Sequence, residues 1–384
     1  MRKSTRSSSL MRIDRVEVRV LSTRYATEFR NPHQEFPGKH AVLVFVSTEE
    51  GVVGVGESWC DGGDPGSVVT IIESDLAPRI IGASVSEPER IWQGMMATGV
   101  MSLKGSALYA AASGVDIAIW DAWARTLRQP LHRLLGGHST AVPVYGSAGL
   151  YADGYTPESL AADMAAAMDR GCCGAKIKVA GATLEEDVER AGAVRRALGS
   201  GPRLMVDALF KPGVADAIRL GRALAPFDIY FYEAPTELRD LSGWRTIRRD
   251  TGIALSGPEV EAGLDRYREF LSKEVVDYLQ ADAIICGGVT ELRRIAALGW
   301  AFRKPVTYHA SGSAVAFAAN AQVAAAFAGT DSIEMHLLHQ ALFERLWDAG
   351  WRIENGALVL PEIPGIGVEI TPDSPLFNGS APRG

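Results

Sequence analysis

Short apolar runs alternate strictly with amphipathic, helix-forming stretches along the second half of the chain, from Val142 to about Phe343. A strand, a helix and two connecting turns take about 25 residues, so this pattern predicts repeated βα units and a parallel sheet. Eight units of about 26 residues need roughly 208 residues, and about 202 are available. We therefore expect a (β/α)8 barrel over residues 141–350.

The region before this repeat follows a different pattern. Residues 13–21, 41–47 and 52–57 read as strands of an antiparallel meander, and three helical stretches follow them. Strands followed by helices are typical of an α+β domain, which we expect over residues 11–140. The tail, residues 351–384, is too rich in Gly and Pro for a helix, and we expect it to return to the N-terminal domain and complete it.

Composition narrows the class of protein. With 384 residues, 47% hydrophobic and 22% charged, the chain can bury a large core, and its net charge of -7 argues against a nucleic-acid partner. No apolar run approaches the roughly 20 residues of a membrane span. The four cysteines show no metal or redox spacing, so we expect buried thiols and a cytoplasmic protein. Residues 1–10 lack the apolar segment of a secretory signal and are expected to be a disordered leader before an alternative start at Met11.

Chemically capable side chains recur at the predicted strand ends, at intervals of 23 to 29 residues. They are Lys178, Asp207, Glu233, Glu259, Asp282, His309 and Glu334. All except Glu259 close or directly follow an apolar run. A barrel keeps its active site at the carboxyl ends of its strands, so the spacing predicts an active site formed by these residues.

Three carboxylates, those of Asp207, Glu233 and Glu259, end successive strands and would repel one another without a cation. A set of oxygen ligands suits a hard ion, which favours Mg2+, with Mn2+ as a substitute. The alternative is that each carboxylate caps the helix that follows its strand. The regular spacing of 26 residues favours the metal site.

Lys176 and Lys178 lie two positions apart in one predicted strand, so both side chains point to the barrel interior or its mouth. Each ammonium group should lower the pKa of the other, which makes a neutral lysine base accessible. The alternative is a solvated pair on an edge strand.

His309 follows one strand and Asp282 the strand before it, so the two should be neighbours around the barrel. A carboxylate that accepts a hydrogen bond from imidazole raises its basicity, which predicts a second acid/base group opposite the lysines. Glu334 could hydrogen-bond a substrate carboxylate if burial raised its pKa and kept it protonated. The other histidines, His336 and His339 among them, are expected on the surface or in packing roles.

Taken together, these motifs resemble the enolase superfamily and, within it, the mandelate racemase subgroup, over nearly all of residues 11–370. The sequence CGG after Asp282 and the tail sequence LPEIPGIGVEI add to the resemblance. It implies a capping domain that closes over a modified barrel, one essential Mg2+, and removal of the proton α to a carboxylate. Lys178 matches the lysine base of the family, His309 its second base or acid, and relatives suggest a homo-oligomer.

The resemblance places substrate specificity in two loops of the capping domain, here residues 23–39 and 58–66. Polar candidates in these loops are Arg30, His33, Trp59, Asp61 and Asp64. Leu209 stands where many relatives carry a polar residue that touches the substrate, so we include this position too. With an apolar side chain at this position, the sequence predicts the reaction class but not the individual sugar acid.

The expected activity is Mg2+-dependent dehydration of a sugar acid to a 2-keto-3-deoxy acid, because most members of the subgroup eliminate water. The alternative is a racemase or epimerase of a 2-hydroxy or amino acid, which would use the same residues. A third hypothesis is a barrel that binds ligands without turnover. In each case the expected partner is a small carboxylic acid.

Overall fold

The computed structural model describes residues 11–60, 63–99, 105–339 and 341–377. Within them the expected fold class is confirmed, because a closed (β/α)8 barrel stands beside an N-terminal domain built on an antiparallel sheet. The expected leader, residues 1–10, lies outside the described residues. Among the described helices, none has both the length and the apolar character needed to cross a membrane.

The N-terminal domain begins with a three-stranded antiparallel sheet in the order β1-β2-β3. Its strands are β1 (Ile13–Arg30), β2 (Glu35–Thr48) and β3 (Val53–Ser58). Helices follow, namely α1 (Gly66–Thr70), α2 (Ala77–Ile80), α3 (Pro88–Met96), α4 (Gly105–Thr126) and α5 (Leu131–Leu134), with a π-helical segment at Ile71–Leu76. Strands β1 and β2 continue through most of residues 23–39, so this segment is largely a hairpin rather than the loop that we expected.

Strand β2 contributes to two hydrophobic cores because its side chains alternate between its faces. Val42, Val44 and Val46 pack in the core of the N-terminal domain. Ala41, Leu43 and Phe45 pack in the core of the barrel. The strand is therefore the layer that joins the two domains.

Helix α4 packs directly on the backbone of β3, and two glycines make this possible. A Cβ atom at Gly54 would lie 2.1 Å from the carbonyl oxygen of Ala118, and one at Gly56 would lie 2.0 Å from that of Gly114. Real Cβ atoms do not approach this closely, so a side chain at either position would force the helix away from the sheet.

The barrel has eight parallel strands, and pairing of the last with the first closes it. The strands are β4 (Ala141–Ala148), β5 (Gly174–Lys178), β6 (Arg203–Asp207), β7 (Ile229–Glu233), β8 (Leu255–Gly257), β9 (Tyr278–Ala281), β10 (Val306–Tyr308) and β11 (Thr330–His336). The helices are α6 (Pro157–Asp169), α7 (Leu184–Leu198), α8 (Val214–Leu224), α9 (Leu241–Thr251), α10 (Leu264–Ser272), α11 (Ala283–Cys286), α12 (Gly288–Ala301), α13 (Ala314–Ala326) and α14 (Phe343–Asp348).

The tail divides between the two domains. Strands β12 (Arg352–Glu354) and β13 (Ala357–Val359) form a hairpin, and β13 pairs antiparallel with β4, so this part joins the barrel rather than the N-terminal domain. Further along, the backbone of Gly365 bonds to Gln129 and Leu131, and the amide of Ile366 donates to Asp121 of α4. The sequence pattern could not show which sheet the hairpin joins, because a short strand has the same pattern of apolar residues whichever sheet it pairs with.

Candidate active site

The predicted side chains gather at the carboxyl end of the barrel. Lys178, Asp207 and Glu233 are the last residues of β5, β6 and β7. Asp282 and His309 directly follow β9 and β10, and Glu259 comes two residues after β8. Glu334 does not end its strand as expected, because β11 continues for two more residues, to His336. The side chain of His336 therefore also lies at the mouth of the barrel.

Three buried carboxylates form a compact group. Asp207, Glu233 and Glu259 each offer an oxygen atom, and these atoms lie within 4.8 Å of one another. Neither carboxylate oxygen of Glu259 makes a hydrogen bond to a described residue. Burial and, after it, the negative charge of Asp207 raise the pKa of Glu259 to about 7. The donor set and its unpaired oxygens fit a hard divalent cation such as Mg2+.

The helix-capping alternative for these carboxylates does not match the geometry. The first residue of α8 follows Gly213, which offers no side-chain cap, and α9 is capped by Asp240. Glu233 instead accepts hydrogen bonds inside the barrel, from Lys176 at 2.6 Å and from the Gln280 amide at 2.8 Å. Gln280, in β9, escaped sequence analysis because a lone Gln in an apolar run carries no motif.

The two lysines are buried among these acids. The Lys176 ammonium nitrogen lies 2.6 Å from Glu233, 3.1 Å from Glu334 and 3.7 Å from Asp207. Lys178 forms an ion pair with Asp207. These contacts exclude the solvated pair on an edge strand.

The charge balance differs from the one expected for the lysines. Burial favours the neutral amine, but the carboxylates outweigh it and raise the pKa of both Lys176 and Lys178. Lys176 does lower the pKa of Lys178, as expected, yet the pairing with Asp207 is stronger. The expectation of a lowered lysine pKa was wrong for this arrangement because it counted only the neighbouring ammonium group.

The expectation of a protonated Glu334 was also wrong. Burial alone would raise the pKa of its carboxyl group, but the positive charge of Lys176, followed by that of His309, lowers it far below its ordinary value. The second oxygen of this carboxylate, Oε1, is buried and makes no hydrogen bond to a described residue. Glu334 is therefore an anionic acceptor that holds Lys176 in place.

His309 and Asp282 form the expected pair, with 2.9 Å between Nδ1 and the carboxylate. The other oxygen of Asp282 accepts hydrogen bonds from the Asn320 amide at 2.7 Å and from the backbone of Ile284 at 3.1 Å. Asn320, on α13, therefore orients Asp282, and Asp282 in turn orients His309. The sequence offered no sign of this role, since Asn320 lies 38 residues from Asp282 in an alanine-rich helix.

The acid/base groups approach the carboxylates from two sides of the barrel. Lys176 and Lys178 are on β5 and His309 follows β10, with β4 and β11 between these strands. One oxygen of Glu334, on β11, lies 3.1 Å from Lys176 and 3.9 Å from Nε2 of His309. Both sets of acid/base groups therefore face one shared space.

The substrate-contact candidates are more scattered. The ring of Trp59 lies 6.2 Å from that of His309, which places it at the site. Arg30 is exposed and pairs with Asp153, while the Asp64 carboxylate accepts a hydrogen bond from Gly66 in its own loop. His33 contacts the backbone oxygen of Leu209 at 2.5 Å, which docks the tip of the β1–β2 hairpin onto the barrel. Asp61 lies outside the described residues.

A second polar group, absent from the sequence-based predictions, lies beside His309. The Lys39 ammonium nitrogen donates to the Ser311 hydroxyl at 3.1 Å and sits 4.3 Å from the centre of the Trp59 ring. Ser311 also contacts Nδ1 of His339 at 3.3 Å, and the ring of His339 stacks on that of His336 at 3.8 Å. All but Trp59 are buried, so of the two roles expected for these histidines, surface or packing, the structure shows packing.

Family models match most of the chain. Residues 17–136 match the mandelate racemase/muconate lactonizing enzyme N-terminal domain. Residues 159–374 match the enolase C-terminal domain-like family.

Individual relatives extend this match. An arabinonate dehydratase from Saccharolobus solfataricus is 32% identical over 86% of this chain and 88% of its own. A D-galactarolactone cycloisomerase from Agrobacterium fabrum is 30% identical over 95% of this chain and 98% of its own. A solved racemase from Streptomyces coelicolor A3(2) with bound magnesium superposes with a TM-score of 0.83 and 30% identity, covering 93% of this chain and 97% of its own.

Acid/base groups lie together at the carboxyl end of a (β/α)8 barrel, which is where barrel enzymes have their active sites. With relatives that are dehydratases and cycloisomerases, this defines the chain as a barrel enzyme of the lyase or isomerase class. The two family matches make the assignment specific. The chain belongs to the mandelate racemase subgroup of the enolase superfamily. The resemblance inferred from its motifs is thereby confirmed, and the buried acidic trio fits the magnesium binding of this family.

Proposed function

We propose that the enzyme removes the proton α to the carboxylate of a sugar acid and then eliminates the β-hydroxyl group, giving a 2-keto-3-deoxy acid. Relatives that act on sugar acids or their lactones, as dehydratases and cycloisomerases, support the general reaction. The observation that carries the proposal is the approach of the lysine pair and His309 to one buried carboxylate site from two sides.

Asp207, Glu233 and Glu259 are the residues that would hold Mg2+, with Mn2+ as a substitute. When bound there, such an ion would supply positive charge to polarise the substrate carboxylate and stabilise its enediolate form, and the two lysines would no longer have to balance the charge of the acids.

Lys176 is suited to hold a substrate carboxylate, because its ammonium group is already fixed among three acids at the base of the site. Its neighbour Lys178 reaches the same space from the end of β5. As a neutral amine, Lys178 accepts the α-proton, and the electron pair of the C–H bond moves into the enediolate.

His309 completes the elimination from the other side. As an imidazolium ion it donates a proton to the β-hydroxyl group while the C–O bond breaks, so that water leaves and an enol remains. The enol then loses its hydroxyl proton to solvent and takes up a proton at carbon 3, which gives the 2-keto acid. The carboxylate of Asp282 at 2.9 Å stabilises the imidazolium ion, and Asn320 keeps that carboxylate oriented.

A racemase or epimerase is the second candidate, favoured by the similarity to the solved racemase with bound magnesium. In that reaction Lys178 would remove the proton from one face and His309 would return one to the other. A barrel that binds ligands without turnover is a weaker candidate, because the relatives reported above are named for reactions.

A screen of sugar acids in D2O, with added Mg2+, separates these functions. A dehydratase releases a product that reacts with semicarbazide, and its recovered substrate keeps its configuration. A racemase delivers the opposite stereoisomer, carrying solvent deuterium, without any keto acid. The second result across the panel would overturn the dehydratase proposal.

A further inference from the structure

A buried lysine of the N-terminal domain reaches the mouth of the barrel. Lys39, near the start of β2, is 8% exposed, and its ammonium nitrogen lies 4.3 Å from the Trp59 ring centre. The same Trp59 ring lies 6.2 Å from His309. Lys39 is therefore separated from the acid/base histidine by a single aromatic ring.

Two hydrogen-bonding side chains of the barrel, Ser311 and His339, form a chain of contacts with this lysine. Ser311 accepts from Lys39 at 3.1 Å and contacts His339 at 3.3 Å. His339 is 5% exposed, and its Nε2 atom makes no hydrogen bond to a described residue. A buried polar atom of this kind costs free energy unless a ligand or a water molecule satisfies it.

The charge of this group resides on the lysine. Burial lowers the pKa of both His336 and His339 well below the ordinary value of histidine, so both rings are neutral near pH 7. Neutral imidazole can donate or accept a hydrogen bond, whereas the ammonium group attracts an anion. The group thus combines one buried cation with neutral hydrogen-bonding partners. The buried Glu57 carboxyl group also interacts electrostatically with Lys39, but it accepts its hydrogen bonds from Ser313 and Ala316.

We propose that Lys39, Ser311 and His339 form a distal subsite that binds a second carboxylate, at the far end of the substrate. This inference rests on the proposed function, and it makes the preferred substrate a dicarboxylic sugar acid rather than a monocarboxylic one. Lys39 is then a specificity-determining residue, and the neighbouring Trp59 ring restrains its ammonium group by a cation–π contact.

The test compares sugar diacids with monoacids of the same carbon number and configuration, using kcat/KM for each. The wild-type enzyme should prefer the diacid. In Lys39→Met, kcat/KM should fall about 100-fold for the diacid and less than about fivefold for the monoacid, because only the diacid loses a charge-assisted contact. Lys273→Met is the matched control, since Lys273 is an exposed lysine paired with Glu269, and it should change neither value.

A wild-type preference for the monoacid, or equal losses for both acids in Lys39→Met, would overturn the subsite. Lys39→Gln carries the same comparison if Lys39→Met does not fold, and Lys39→Arg should keep the preference for the diacid. If no sugar acid is consumed or exchanges its α-proton with D2O, the proposed function fails instead. Calorimetric titration of the Mg2+-loaded wild type and of Lys39→Met with the same diacids and monoacids then tests the subsite. The affinity for diacids should fall in Lys39→Met if the subsite exists, and an unchanged affinity would overturn it.

Discussion

The barrel and the N-terminal domain contribute to the same site by different routes. Each barrel strand from β5 to β11 delivers a functional side chain at or near its carboxyl end. The N-terminal domain supplies Trp59 just after β3 and Lys39 from the β1–β2 hairpin. Closure of a parallel barrel brings strand ends together whatever their side chains, whereas the reach of a hairpin depends on its length, twist and docking. The carboxylate and acid/base groups therefore come from the barrel, whereas Lys39 and Trp59 come from the domain that docks onto it.

The largest expected effect tests the chemical side of this comparison. Glu233→Gln removes a charge from the carboxylate trio and should reduce kcat/KM by about 1,000-fold or more while the fold survives. Circular dichroism should match the wild type, and activity of the wild type should disappear in EDTA and return with Mg2+ or Mn2+. Full activity after EDTA treatment would rule out the metal role of the trio.

The two sides of the site can be separated with isotope exchange. His309→Asn should reduce keto-acid formation by about 1,000-fold, because the leaving hydroxyl group loses its proton donor. Exchange of the α-proton with D2O should persist in this variant if Lys178 is the abstracting base, and Lys178→Ala should abolish it. Loss of exchange in His309→Asn with retention in Lys178→Ala would reverse the roles of the two residues.

The N-terminal domain should respond through stability first. Gly56→Ala places a Cβ atom 2.0 Å from the carbonyl oxygen of Gly114 and should lower the free energy of unfolding by about 3 kcal/mol. Urea denaturation measures this change. Gly94→Ala is the control, because no atom outside its own helix lies within 4 Å of the added carbon, and it should be neutral or slightly stabilising. Equal stability of the two variants would contradict the close packing of α4 on β3.

The smallest effect concerns the contact between α4 and the barrel. Asp116 accepts hydrogen bonds from the backbone and hydroxyl of Thr290, and burial raises the pKa of Asp116 to about 7. The folded protein thus holds this proton more tightly than the unfolded chain. The resulting stability is present below the ordinary pKa of about 4 and is lost as the pH rises through 7.

Asp116→Asn removes this titration. The fall in Tm between pH 5 and pH 8 should be smaller in the variant than in the wild type, by about 2 °C in differential scanning fluorimetry. Asp265→Asn, at an exposed carboxylate, should leave the wild-type slope unchanged. A wild-type slope in Asp116→Asn would show that this carboxylate does not titrate in that range.

Sequence reasoning located the barrel residues because topology converts even spacing along the chain into proximity in space. It placed Asp207, Glu233 and Glu259 at adjacent strand ends without any knowledge of their contacts. It misjudged Lys178 and Glu334, whose charge states depend on the complete set of neighbours, and pKa values cannot be read from pairs of residues alone.

Other parts of the site left no periodic signal in the sequence. Lys39, Ser311, Asn320 and His339 come together only after the two domains dock, so their spacing along the chain carries no information. His336 was missed for a simpler reason. The end of β11 was placed at Glu334, whereas the strand continues to His336.

Strand β2 has a consequence for how the protein unfolds. Its odd-numbered side chains, Ala41, Leu43 and Phe45, belong to one core and its even-numbered side chains, Val42, Val44 and Val46, to the other. Neither core can lose this strand without opening the other, so we expect the two domains to unfold as a single cooperative unit rather than as two independently folding modules. A chain cut near residue 140 would expose apolar side chains on both fragments, so we expect that neither domain folds alone.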